Sequence, residues 1–148
     1  MSPNLQAELG AALRTVLDEM SATTAQLITV LDEEREALNS ADAKALNRAG
    51  EAKQMLMRRL EQLDVERLHL SSTSSGTAQQ MEANWRELLK SLATCRDKNQ
   101  RNGALVGQRL TQVRRALSVL TGTDAQAGVY GQNGAVQGAH RSVPLAQA

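Results

Sequence analysis

Aromatic side chains are nearly absent from this sequence. It has no Phe, one Trp and one Tyr among 148 residues. A core must then be built from Leu, Val, Met and Ala, and thin aliphatic layers of this kind are typical of packed helices. We therefore expect an all-α fold in one domain, because a chain of this length supports one modest core.

Cysteine and long apolar runs are scarce as well. The single Cys cannot form an internal disulfide, which fits the reducing cytoplasm. No apolar run approaches the roughly 18 residues of a membrane span, and the N-terminus lacks the pattern of a signal peptide.

Residue types that carry catalysis or bind metals are also few. The two His residues, His69 and His140, and the single Cys show no metal-ligand spacing. No Gly-rich phosphate loop follows a predicted strand. We expect the acidic run Glu33, Glu34 and Glu36 to be a solvated helix face and not an acid–base pair. The sequence therefore predicts a protein that is not an enzyme and needs no cofactor or metal.

Charge is balanced overall, at a net +1, but it is uneven along the chain. Residues 1–40 hold seven acids and two bases, a net −5, whereas residues 79–120 hold three acids and eight bases, a net +5. An acidic helix lying beside a basic one explains this pattern. Nucleic acid is not expected as a partner, because the basic segment has no interleaved aromatics on which bases could stack.

Three segments with apolar residues at spacings of three and four predict three helices. They cover about residues 3–38, 42–70 and 79–120, and polar loops separate them. Ser40 or Asp42 can cap the second helix. After the helix stop at Thr121-Gly122, the Gly-, Ala- and Gln-rich composition predicts a flexible tail. We accordingly expect a helical bundle over 1–122 and a disordered tail over 123–148.

The third segment carries two interleaved heptad series on one helix face, typical of a coiled-coil seam. One series is Trp85, Leu92, Asn99, Val106, Val113 and Leu120, and the other is Met81, Leu88, Cys95, Asn102, Arg109 and Ala116. The seam is polar in its middle, at Asn99 and Asn102, with Gly103 beside them. Buried Asn side chains must find hydrogen-bond partners, so these positions are not explained by helix stability alone.

Two basic residues, Lys53 and Arg67, fall on the apolar seam of the second segment. Each can lay its methylene stem along the seam and place its charge at the edge. Alternatively, each can pair with the acidic first helix or with a carboxylate of a bound partner. The sequence leaves both arrangements open.

An antiparallel succession of the three helices predicts their register. Residue i of the second helix then faces about 80 − i on the first and about 149 − i on the third, by the lengths of the two loops. The start of the second helix faces about residues 104–107, so about 13 residues of the third helix, or 20 Å, extend beyond it without a partner. Their apolar face could be covered by a partner helix, by a second copy or by the folded-back tail.

Particular motifs resemble those of the FlgN family of flagellar export chaperones. They are Asn99-x-x-Asn102-Gly103-x-Leu105, Arg109-Leu110, Val113, Ala116-Leu117, Leu120-Thr121-Gly122 and Tyr130-Gly131-x-x-Gly134. Upstream, Glu36-x-Leu38, Asp42, Leu46, Lys53, Leu56 and Arg67 are similar to the first two helices of the family. The resemblance covers nearly the whole chain, but the sequence departs from the family after Gly134.

The resemblance implies a cytoplasmic chaperone of the flagellar type III export system. Its clients would be the hook-filament junction proteins (hook-associated proteins one and three), which the family binds near their C-terminal helical segments, preventing premature assembly. It would deliver them to the cytoplasmic domain of the export gate, which Tyr130 would contact. The export ATPase complex and a second copy of the chain are further partners to test. The expected client-binding residues are Asn102, Leu105, Val106, Leu110, Val113, Leu117 and Leu120. The alternative is a structural coiled-coil scaffold that uses the same stripe only to self-associate.

Overall fold

The computed structural model describes residues 2–73 and 81–122, which form three α-helices. Helix α1 spans Pro3–Ser40, α2 spans Ala43–Thr73 and α3 spans Glu82–Thr121. Strands are absent from the residues described, and the all-α prediction is confirmed. The observed helix ends lie within three residues of the predicted ones. None of the described helices is long and apolar enough to cross a membrane.

Local backbone geometry and hydrogen bonds explain where α1 begins and ends and where α2 begins. The Ser2 hydroxyl accepts the Leu5 N–H at 3.4 Å at the start of α1, where Pro3 occupies the first turn. Ala41 adopts the left-handed conformation, with φ of 54°, and ends α1. The carboxylate of Asp42 then accepts the Ala45 N–H at 3.0 Å, so Asp42 caps α2 and Ser40 does not.

The chain divides into two compact units, residues 1–104 and 105–148. In the first unit α1 and α2 are antiparallel, as the ion pairs of Glu19 with Arg59 and of Glu34 with Lys53 show. Within that unit α3 runs parallel to α1, and hydrogen bonds from Cys95 and Asn102 each reach a carbonyl 71 residues earlier in the chain. The predicted register places each residue of the first helix opposite the residue about 149 − 80 = 69 positions later in the third. The observed offset of 71 confirms the expected pairing of α1 with α3 to within two residues.

The core of the first unit consists of aliphatic side chains from all three helices. One cluster contains Leu13, Val16, Leu17, Met20, Leu63, Met81 and Leu88, and the other contains Leu27, Leu31 and Cys95. Burying one such Leu removes it from water and stabilises the fold by about 1.5–3 kcal/mol. In α3, one of the two predicted heptad series supplies the buried positions up to residue 102. The other is half-buried at Trp85 and Leu92 and exposed at Asn99.

Trp85 and Arg67 pack against each other at the edge of the larger cluster. The Arg67 guanidinium lies 4.1 Å from the centre of the Trp85 ring, and its Nε donates to Asp64 of the same helix at 2.8 Å. A cation over an indole face is a favourable contact. Arg67 therefore places its charge at the edge of the cluster, over the Trp85 ring and beside Asp64, and does not pair with the acidic first helix.

Candidate functional site

A group of polar side chains joins the three helices within the first unit. The Asn102 amide donates to the Leu31 carbonyl and to Glu34 Oε1, both at 2.9 Å. The Lys53 ammonium lies 2.8 Å from Glu34 Oε2 and donates to Asn99 Oδ1 at 3.1 Å. We call Glu34, Lys53, Asn99 and Asn102 the polar junction. Glu34 and Asn102 are only 6% and 2% exposed, so their mutual hydrogen bond replaces the water that each loses.

The polar junction changes two expectations from the sequence, for Glu34 and Asn102, and decides between the arrangements left open for Lys53. Glu34 is not part of a solvated acidic face, although its neighbours Glu33 and Glu36 are exposed. Lys53 pairs with the acidic first helix, one of the two arrangements left open. Asn102, expected among the client-binding residues, is instead buried between helices, and we therefore leave it out of the candidate surface.

The exposed apolar residues of α3 in the second unit form a continuous face. Val106, Leu110, Val113, Leu117 and Leu120 are 41% to 81% exposed, and we call them the apolar stripe. They lie within an arc of about 80° on the helix surface, counting about 100° per residue. Large aliphatic side chains gathered on one exposed face commonly mark a site of association with another protein.

Other residues of the second unit lie outside the apolar stripe. Leu105, which the sequence placed in the client-binding set, is half-buried and lies about 60° beyond the edge of the stripe. Val119 is 82% exposed and lies farther round the helix. Tyr130, the expected contact of the export gate, lies outside the described residues, as does the tail over 123–148.

The described residues offer little for catalysis or metal binding. No group of three or more His, Cys, Asp or Glu residues among them is placed to hold a metal ion. Cys95 is buried, and its thiol lies 3.8 Å from the Thr24 carbonyl oxygen. Burial raises the pKa of the Cys95 thiol, while the charge of Lys98 and a backbone hydrogen bond oppose that shift. A buried thiol that stays protonated is a poor nucleophile.

Three long helices and an exposed apolar stripe define an all-α protein with a surface suited to packing against another helix. The model of the FlgN family, described as FlgN protein, matches residues 9–138, so this chain belongs to that family. The expectation from the sequence motifs is thereby confirmed.

Individual relatives agree with this assignment. The flagella synthesis protein FlgN of Escherichia coli strain K12 is 28% identical over 131 residues, which cover 87% of this chain and 93% of the relative. The proteins of the same name from Salmonella typhimurium strain LT2 and Salmonella typhi are each 27% identical with the same coverage. No solved structure gives a significant match.

Proposed function

We propose that this protein is a cytoplasmic export chaperone for flagellar hook-filament junction proteins. Its relatives are named flagella synthesis proteins, and this name supports a role in making the flagellum. The observation that carries the proposal is the apolar stripe, because five large aliphatic side chains on one exposed helix face favour association with a second apolar surface.

The proposed mechanism is masking of a client helix without ATP hydrolysis. The C-terminal helical segment of a junction protein lays its own apolar face on the apolar stripe, as amphipathic helices do in helix-binding grooves. While bound, that face is unavailable for contacts between client subunits. The client is thereby kept from assembling before it is exported.

Delivery to the membrane is a second part of the proposal. Tyr130 contacts the cytoplasmic domain of the export gate, and the export ATPase complex is a further partner. The support is the Tyr-Gly-x-x-Gly motif together with the physics of interface anchors. A tyrosine brings a large rigid apolar surface to an interface and keeps a hydroxyl for a hydrogen bond.

Replacing Leu117 and Leu120 together by Ser tests the masking role. We expect client binding to weaken by about 3 kcal/mol or more, roughly a hundredfold, because two aliphatic contacts are lost from the interface. The thermal midpoint of the free protein should change little, because both side chains are exposed in it. Calorimetric titration with purified junction proteins, alongside thermal unfolding, measures both quantities.

Val119→Ser is the matched control, because Val119 is as exposed as Leu120 but lies off the apolar stripe. It should leave client binding unchanged within about 0.5 kcal/mol. If the double variant unfolds at a much lower temperature and loses its client for that reason, the stripe is part of the core and the proposal is wrong. The alternative, a self-associating scaffold, predicts a stable oligomer in the absence of client. Sedimentation equilibrium would measure the mass of that oligomer.

A further inference from the structure

The charges of α3 change in character along the helix. In its first turns the basic residues have acidic neighbours: Arg86 bonds to Glu82 at 2.7 Å and Lys90 to Glu87 at 3.0 Å. From residue 98 to residue 122 the sequence contains no Asp or Glu. The segment of α3 that carries the apolar stripe therefore contains basic residues and no acidic residue.

The bundle shows how this chain uses basic residues at helix contacts. Lys98 of α3 bonds to Asp32 of α1 at 2.5 Å, and Arg59 of α2 bonds to Glu19 of α1 at 2.6 Å. In both pairs the basic residue comes from α2 or α3, and the acidic residue comes from the helix packed against it. Such pairs at the rim of an apolar contact add modest affinity and select the partner by charge.

Basic residues flank the apolar stripe on both edges. Counting about 100° per residue, Arg109 lies about 20° outside Leu120, and Arg114 lies about 40° outside Leu110 on the other edge. Arg115 lies about 180° from the centre of the stripe, on the opposite face of the helix. All three side chains are exposed. A helix packed on the stripe must therefore lie beside the cationic side chain of Arg109.

From this charge pattern we infer that the occupant of the apolar stripe is an amphipathic protein helix whose own apolar face is bordered by Asp or Glu residues. The inference rests on the proposed chaperone function and deepens it, because it specifies which helical segments of a client fit. Acidic borders would face Arg109 across the contact, whereas basic borders would be repelled.

An anionic membrane surface is a less suitable occupant for the same face. Helices that lie in a membrane interface are typically rich in Lys and Arg over the whole polar face, with Trp or Phe among the apolar residues. Residues 105–122 contain no aromatic residue, and their polar face includes Gln108, Thr111, Gln112 and Ser118. Within the first unit α3 already packs against other helices, so a helix is also the more consistent occupant of the apolar stripe.

Two synthetic peptides test the inference on the full-length protein. Both are amphipathic helices of equal length with the same Leu face; one has Glu at the border positions and the other has Lys. We expect the Glu peptide to bind about tenfold more tightly at low salt. The difference should shrink at high salt, because the screening length falls from about 10 Å at 0.1 M to about 3 Å at 1 M. Equal binding of the two peptides would overturn the inference.

Arg109→Glu and Arg115→Glu form a matched pair of variants. Each changes the net charge equally on the same helix, but only Arg109 borders the apolar stripe. Arg109→Glu should abolish or reverse the roughly tenfold preference for the Glu peptide, whereas Arg115→Glu should change it by less than about threefold. Equal effects of the two substitutions would mean that overall charge, and not the border of the stripe, selects the partner.

Two further measurements identify other occupants. Co-sedimentation with phosphatidylglycerol vesicles, without binding of the Glu peptide, would assign the face to lipid and overturn the inference. A dimer that dissociates on Arg109→Glu would assign the apolar stripe to the acidic surface of a second copy, and this result would also overturn the inference.

The junction proteins separate failure of the inference from failure of the proposed function. If they bind and lose affinity with the Leu117→Ser/Leu120→Ser variant while both peptides bind equally, the chaperone function stands and the acidic-border inference is wrong. If the Glu peptide is preferred but no junction protein binds, the preference for acidic borders stands and the proposed client is wrong.

Discussion

At the scale of single residues, the polar junction is a part of the bundle that is costly to disturb. Glu34 is buried with a carboxylate that has two partners, the Lys53 ammonium and the Asn102 amide. A buried charge keeps its place only when such partners replace water, and removing one partner leaves the other group incompletely satisfied. The intact junction therefore contributes little net free energy to the bundle, but removing one of its members is strongly destabilising.

Asn102→Ala is expected to lower the free energy of unfolding by about 1–3 kcal/mol, because it removes the donor to both Leu31 and Glu34. Asn99→Ala is the control: its side chain is exposed and accepts only one bond, from Lys53, so it should cost less than about 1 kcal/mol. Urea unfolding with an unchanged slope measures both values. Equal costs would show that burial of the Asn102 amide does not matter.

Sequence patterns located this junction only in part. Asn102 and Lys53 stood out because they interrupt apolar series, but their partners could not be identified. Glu34 is surrounded by similar acids in the sequence, and only the exact packing of α1 against α2 buries this one. Asn102 was likewise expected to face a client, since a heptad pattern alone cannot distinguish a buried polar position from an exposed one.

At the scale of one element, α3 contains two glycines that its fold does not require. A Cβ added at Gly103 or Gly107 would meet nothing within 4 Å apart from the adjoining backbone of its own helix, and both residues have helical backbones. Gly inside a helix is less favourable than Ala because it loses more conformational freedom on folding. The second half of α3 is thus less stable as a helix than its length suggests.

Gly107→Ala should raise the helix stability by about 0.5–1 kcal/mol and increase the helical signal in circular dichroism. Gly122→Ala serves as the contrasting variant. Gly122 has a φ of +66° at the end of α3, a conformation that strains a residue with a Cβ, so this change should not stabilise the protein. A loss of stability in Gly107→Ala would indicate that Gly107 is held in close contact with another group.

Helix boundaries were largely predictable, because each helix has a regular apolar series and a polar break. The register of α1 against α3 followed from loop lengths and came within two residues of the observed offset of 71. The end of α1 was less predictable: it continues to Ser40, and a non-glycine residue, Ala41, takes the left-handed position. Sequence rules favour Gly there, so they give no signal for Ala.

At the scale of the whole molecule, masking and delivery should be separable functions. Tyr130→Ala should leave client affinity nearly unchanged but weaken binding to the cytoplasmic domain of the export gate and lower client secretion. A pull-down on the purified gate domain and a secretion assay measure these effects. The Leu117→Ser/Leu120→Ser variant should behave in the opposite way, losing client affinity while keeping its binding to the gate domain. If Tyr130→Ala abolishes client binding as strongly as that variant does, one shared site replaces the two proposed.

The parallel contact of α1 with α3 also governs when the bundle can form on the ribosome. Both residues of the α1–α2 ion pair, Glu34 and Lys53, are synthesised before residue 60, whereas Asn102 must reach back 71 residues to Leu31. Closing that longer loop costs more chain entropy, so the α1–α2 hairpin is expected to form first in the nascent chain. The apolar stripe is synthesised after every residue of the first unit, which shortens the time for which the growing chain exposes this apolar surface.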